Sequence, residues 1–188
     1  MSLEQFLAAS KTVTRQILNG NQSADAAMAA GVYTEDAVIL PPRHLPALGK
    51  SAVTELYDEG ISKGERILTA DVQYENIRMS GRYVFTVDRA SLAVRVPGIE
   101  HLLLVHCKSL TVWEVQSDGT LKIKVDAWNY DQTPSPEMLL MGSGITAKNV
   151  AFRSAAGSPD AAGASVETLD TVKQLSTEFH AACLKGDA

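Results

Sequence analysis

The chain of 188 residues sets 17 Lys and Arg against 22 Asp and Glu, a net charge of −5, and is 45% hydrophobic. Its dispersed, mildly acidic charge offers no basic stripe for nucleic acid or an anionic membrane surface. With no run near the ~18 apolar residues of a membrane span and no leader-like N-terminus, the expectation is a soluble, unsecreted, cytoplasmic protein with one well-cored domain and something extra.

Leu3, Phe6, Leu7, Ser10, Val13 and Ile17 recur at helical spacing, which predicts a first helix over about 2–18. Asn19-Gly20-Asn21 then reads as its stop, because Asn and Gly tolerate the left-handed conformation of a C-cap. Ser23 is placed to cap a short second helix, ADAAMAAGVY. Ala37–Leu40 reads as a short strand ended by Pro41-Pro42, since proline cannot donate to a ladder. After the loop PPRHLPALG, Val53, Leu56, Tyr57 and Ile61 stripe a helix over 50–63.

From Ile67 the period changes from helix to strand. Leu68, Ala70, Val72 and Tyr74 alternate with polar neighbours, Ser80-Gly81 turns the chain, and residues 83–94 alternate again before a turn at Pro97-Gly98. Next comes LLLVHCKSLTVWEV, then Asp118-Gly119, then LKIKVDAWNYD. Asp-Gly between two such runs predicts a hairpin with a two-residue type I′ turn, both central residues having positive φ. That register sets Thr111 opposite Asp126, Ser109 opposite Trp128 and Cys107 opposite Tyr130 on one face, with Leu104, Leu110, Val112, Ile123, Val125 and Ala127 on the other. Helices first and an antiparallel meander after give an α+β cone, a curved antiparallel sheet wrapped around N-terminal helices, its open end a natural pocket.

Beyond Asp131 the composition shifts. Residues 133–165, rich in Pro, Ser, Gly and Ala, read as an arm. Residues 166–188 read as an amphipathic C-terminal helix with Leu169, Val172, Leu175, Phe179 and Cys183 on one stripe. Cys107 and Cys183 fit no CxxC or Cys/His spacing, so both read as small buried hydrophobes in a reducing compartment.

YTEDAVILPP (33–42), LGKSAV (48–53) and LTVWEVQSDGTLKIKVDAWNYD (110–131) resemble the nuclear transport factor 2-like superfamily. Within it the chain looks most like the SnoaL-like polyketide cyclase and ketosteroid isomerase-related group, a cystatin-like fold. The resemblance covers roughly residues 1–132. It implies a cone that binds a small apolar or aromatic molecule. Chemistry there would be cofactor-free: isomerisation, cyclisation or dehydration by acid-base proton transfer on a carbonyl substrate. The alternative is a non-catalytic homodimeric binding or association module on the same scaffold. Either way a homodimer is expected through the outer sheet face, whose apolar side chains form a large patch.

For the catalytic role the resemblance implies Asp126, a late-strand carboxyl beside Trp128 and Trp113 whose pKa burial would raise. Tyr33 and Tyr57, expected on helices facing the sheet, would donate to a carbonyl or enolate oxygen. Trp128, Thr111 and Trp113 are the expected ligand-binding wall. The residues also permit plainer roles: Asp126 as a rim carboxylate bonded to Thr111, Lys122 or Lys124, Trp128 as core, and the tyrosines as tethers from helix to strand. Asp88, adjoining Arg89, reads as half of a surface ion pair. No spacing of His, Asp or Glu brings three metal ligands together, so neither metal nor cofactor is expected.

Overall fold

In the computed structural model helix α1 spans Leu3–Gln22, started by a capping box in which the Gln5 N–H donates to Ser2 Oγ at 3.2 Å and the Ser2 N–H to Gln5 Oε1 at 2.7 Å. Residues 1–131, 133, 135–138 and 141 are described. The arm expected over 133–165 therefore falls almost wholly outside the described residues, and the helix expected over 166–188 entirely outside them.

Asn19-Gly20-Asn21 does not end α1. The helix runs on to Gln22 with Ser23 as its C-cap, and the left-handed residue is Ala24, at φ 58°. Gly20 serves a different purpose, for a Cβ there would lie 2.4 Å from the Ala29 nitrogen, inside the backbone of the next helix. Asn21 ties α1 to an open sheet edge, its Oδ1 accepting the Ile67 N–H at 2.5 Å while Gln22 Nε2 donates to the Leu68 carbonyl at 2.8 Å. Helix α2 is only Ala26–Ala30, capped by Asp25 rather than Ser23; the Ser23 hydroxyl donates back to the Asn19 carbonyl.

Strand β1 (Tyr33–Leu40) ends at Pro41 as expected, and the following loop contains a two-residue strand β2 (Ala47–Leu48) before α3 (Gly49–Ser62). Tyr33 is thus a strand residue, not a helical one. Strands β3 (Arg66–Ser80), β4 (Tyr83–Arg95), β5 (Leu103–Val115) and β6 (Leu121–Tyr130) form the antiparallel meander. The sheet order is β2-β1-β6-β5-β4-β3, and β1 lies parallel to β6, so the curved, unclosed sheet is mixed rather than purely antiparallel. Bulges at Ile67/Thr69, Tyr74/Asn76 and Val112/Trp113 supply curvature.

The β5–β6 hairpin reaches the expected pairing by a different route. Its loop has three residues, 117–119: the Gly119 N–H donates to the Gln116 carbonyl at 2.9 Å and the Gln116 N–H to the Thr120 carbonyl at 2.8 Å. Gly119 alone takes positive φ, 82°, the signature of a type I turn closed by a glycine bulge. Continued unbroken, that loop would put Val125 opposite Thr111. A bulge at Lys124 shifts the register back by one, so Thr111 faces Asp126, Ser109 faces Trp128 and Cys107 faces Tyr130. The same bulge sends Ile123 inward, only 3% exposed, and takes it off the outer face.

Two core clusters occupy opposite ends of the inner face. One joins Phe6, Val13, Tyr33, Ile39, Val53, Val84, Trp113 and Ile123; the other joins Val94, Val96, Leu103, Val105 and Met138. Phe6 anchors the first, meeting Trp113 edge-on at 5.6 Å and Tyr74 at 5.5 Å. No helix among the described residues is long and apolar enough to cross a membrane.

Candidate active site

Period-two alternation on three neighbouring strands builds the inner surface in rows. Thr86, Thr111 and Asp126 form one row; Asp88, Ser109 and Trp128 the next; Ala90, Cys107 and Tyr130 the third. β1 adds Tyr33 and Ile39 alongside β6, and α3 lays Leu56 and Tyr57 across the top. Between them lies a cavity of about 340 Å³, lined by Tyr33, Tyr57, Thr111, Trp113, Asp126 and Trp128. All six residues that the sequence singles out therefore meet in one place. Asp88, His44, Cys107 and Tyr130 line it too.

Asp126 lines this cavity, and among the described residues no cation is paired with it. Tyr33 Oη donates to its Oδ2 at 3.2 Å, and the Tyr57 hydroxyl lies 3.1 Å from that of Tyr33. Lys124, one of the cations considered for Asp126, instead pairs with Asp36. Burial pushes the Asp126 carboxyl up to about 6; the Tyr33 hydroxyl draws it down, and the nearby Asp88 charge raises it again. Burial also raises both tyrosines above the ordinary phenol range, so they are proton donors at neutral pH. The chain Tyr57, Tyr33, Asp126 thus ends on a carboxyl poised to hold or release a proton.

Asp88 corrects the sequence reading most. It is 4% exposed and faces inward, while Arg89 points away and pairs with Glu75 at 2.8 Å. Ser109 Oγ donates to Asp88 Oδ1 at 2.5 Å and Thr86 Oγ1 to Oδ2 at 3.1 Å, with Trp113 Nε1 donating in turn to Thr86 Oγ1 at 3.0 Å. Burial raises the Asp88 carboxyl, and its two hydroxyl donors oppose that rise. The signal was present in the alternation of Val84, Thr86, Asp88, Ala90, Leu92 and Val94, which continues the inner face of β4. The adjacent arginine suggested an ion pair that alternate strand faces do not allow.

Trp128 packs edge-on against Tyr130 at 5.6 Å and stays half-buried, its exposed part turned to the cavity. Cys107 is buried and its thiol is pushed up to about 11 by burial, as suits the small hydrophobe expected there. His106 lies on the outer face with Nδ1 2.9 Å from Ser91 Oγ. Among the described residues no group of three His, Cys, Asp or Glu is placed to hold a metal ion.

No family model matches the sequence, and no curated protein matches it significantly. Solved structures do match. A ketosteroid isomerase-like protein from Erwinia carotovora atroseptica is 15% identical, with a TM-score of 0.55 over 68% of this chain and 97% of its own. A protein from Catenulispora acidiphila in complex with S-DNPA is 15% identical, with a TM-score of 0.54 over 67% of this chain and 93% of its own. A domain with a cystatin-like fold from Nostoc punctiforme is 14% identical, with a TM-score of 0.56 over 96% of this chain and 99% of its own. With these likenesses and the helix-filled cone, the chain has the nuclear transport factor 2-like fold, the cystatin-like α+β architecture of ketosteroid isomerase-like and SnoaL-like proteins.

Proposed function

We propose that residues 1–132 are a cofactor-free acid-base enzyme, an isomerase, cyclase or lyase of the SnoaL-like kind, acting on a small apolar or aromatic carbonyl compound held in the cone. The observation that carries this reading is a carboxyl pushed up to about 6 inside an apolar cavity, bonded by a buried tyrosine. A carboxyl with that pKa is largely ionised at neutral pH and still takes up a proton readily, which suits removal of a proton next to a carbonyl. On this reading the residues divide the work. Asp126 takes the α-proton and returns it elsewhere on the substrate; a hydroxyl of the Tyr57–Tyr33 pair donates to the oxygen on which charge develops. Trp128, Thr111 and Trp113 hold the planar body of the substrate. The ketosteroid isomerase-like and S-DNPA-bound structures support this by analogy of fold.

Both tryptophans of the chain line the cavity, so intrinsic fluorescence reads its occupancy directly. 2-Tetralone, a two-ring ketone, is expected to quench that fluorescence saturably. Trp128→Phe should remove most of the change, and Asp126→Asn should leave binding in place. A flat titration with this and other cyclic ketones would refute the ligand reading.

A second reading, a homodimeric association module without chemistry, draws on the outer face of the sheet. Phe85, Val87, Leu104 and Leu110 are 40–66% exposed on the outer sheet face, and cross-strand pairing joins Phe85 to Val112, Val87 to Leu110 and Val112 to Val125. Such a continuous apolar face fits a self-complementary interface in either reading. The double variant Val87→Glu/Leu110→Glu is expected to sediment as a monomer where the parent protein sediments as a dimer. An unchanged mass would place any self-association elsewhere. The discriminator between the readings is chemistry in the cone, not the dimer.

A further inference from the structure

Asp88 lies outside the proton chain that runs from Tyr57 through Tyr33 to Asp126, yet it lines the same cavity. The bonds around it run one way. An indole N–H can only donate, so Trp113 Nε1 uses Thr86 Oγ1 as its acceptor at 3.0 Å, and the Thr86 proton is passed on to Asp88 Oδ2 at 3.1 Å. Ser109 Oγ donates to Asp88 Oδ1 at 2.5 Å, so both oxygens of this carboxyl accept. Protons donated to both oxygens favour the ionised form, which has acceptors alone to offer. Asp126 accepts one such bond among the described residues, from Tyr33 at 3.2 Å. Of the two carboxyls, Asp88 is the one whose surroundings are built for the charge.

The two share one wall, with no cation between them among the described residues. Asp88 stands in the second row of the inner face and Asp126 in the first, two strands away. Two strand spacings across and one row along put their backbones roughly 12 Å apart. The titratable groups facing them from the other elements are Tyr33 on β1, Tyr57 on α3, Tyr74 on β3 and Cys107 on β5, and burial raises every one, so all are neutral at pH 7. Helix α1 adds only the uncharged Thr14 and Asn21 to the lining. His44, Glu65 and Arg66 line the cavity too, and none is among the groups that shift either carboxyl, while Arg89 pairs with Glu75 on the opposite face. A charge on Asp88 thus reaches Asp126 with no counter-ion to cancel it, and like charges oppose each other's ionisation.

We infer that Asp88 is a resident negative charge of the cavity, ionised before Asp126, and that its repulsion makes Asp126 the stronger base. This rests on the acid-base reading above and names what sets the strength of its proton acceptor. Asp88 is a positioning residue: it acts through Asp126 and takes no proton from the substrate.

The test is carbon NMR of the full chain labelled with ¹³C at its aspartate carboxyls, titrated from pH 3 to 8, each signal assigned by its loss in Asp88→Asn or Asp126→Asn. In the parent protein Asp88 should ionise at lower pH than Asp126. Asp88→Asn should lower the Asp126 midpoint by about one pH unit, the effect of one like charge at this separation in a screened protein site. Asp88→Glu, which keeps the charge, should hold that midpoint nearer the parent value. At pH 8, exchange of the α-hydrogens of saturating 2-tetralone should slow about threefold in Asp88→Asn, because a weaker base removes a proton more slowly. The reverse order of ionisation in the parent protein, which needs no variant to fold, would overturn the inference, and so would an Asp126 midpoint unmoved in Asp88→Asn. Absence of 2-tetralone exchange in the parent protein would instead overturn the acid-base reading on which the role depends, an outcome the carboxyl titration keeps separate.

Discussion

Asp126→Asn is expected to be more stable than the parent protein at neutral pH while losing its proton chemistry. The reason is linkage between folding and protonation. An isolated aspartate titrates near 3.8, and burial in the cone pushes Asp126 up to about 6. Folding therefore favours the protonated form. This contribution is fully present below the unfolded-state value and is lost as pH rises through about 6, when a charge must sit in an apolar cavity. The difference between the two values corresponds to roughly 3 kcal/mol, and water in the open cavity screens part of it, leaving about 2 kcal/mol at pH 7.5. Asparagine has the same shape, still offers an oxygen to the Tyr33 hydroxyl, and cannot ionise. Urea midpoints of the two proteins should coincide below pH 4 and separate between pH 4 and 7, with the variant the more stable. Coincident midpoints at pH 7.5 would mean that Asp126 is solvated in the ordinary way. A gain in stability on removing a charged group is the usual mark of a residue kept for its chemistry.

Gly20→Ala should be among the most damaging single changes outside the cavity, by about 3 kcal/mol. Helix propensity alone predicts the opposite, a gain of up to ~1 kcal/mol for replacing a glycine inside a helix. Packing decides here. The added methyl would lie 2.4 Å from the Ala29 nitrogen, 2.9 Å from the Ala29 Cα and 2.8 Å from the Asp25 carbonyl, all backbone atoms that no rotamer change can move aside. Overpacking of this kind typically costs 1–3 kcal/mol, and rigid backbone on the receiving side places Gly20 at the upper end. α1 and α2 would have to separate, and α2 leads directly into Tyr33. The urea midpoint should fall sharply, and 2-tetralone affinity should fall with it. A neutral or stabilising result would show that the two helices are not in close contact.

Much of the site was legible because strand alternation is a strong signal. Asp126, Trp128, Thr111 and Trp113 share a face by period two, and the Asp118-Gly119 turn aligned the two strands. The turn type itself was misread. A three-residue loop and a bulge at Lys124 each shift the register by one, in opposite senses, so the pairing around Asp126 came out right while the residues between loop and bulge, Leu121 to Ile123, changed faces. Turn signals locate a hairpin better than they fix its loop length, because Asp-Gly serves both the type I′ turn and the type I turn with a glycine bulge. Gly20 was misread for a related reason: a glycine tolerates a left-handed turn and also allows close approach of two backbones, and local sequence does not say which. His44 carried no signal as a cavity residue, being placed by a loop. The parallel pairing of β1 with β6 was equally silent, since it joins residues about 90 positions apart.

The most direct test of the central claim is hydrogen-deuterium exchange at the α-carbons of 2-tetralone in D2O, followed by proton NMR across pH 4.5–8. The account predicts protein-catalysed exchange that rises as pH passes through about 6, where Asp126 becomes ionised, and that falls by about 10²–10⁴ in Asp126→Asn, the usual worth of a positioned general base. Exchange that proceeds at the parent rate in Asp126→Asn would contradict it, and would leave the cone a binding site without this chemistry.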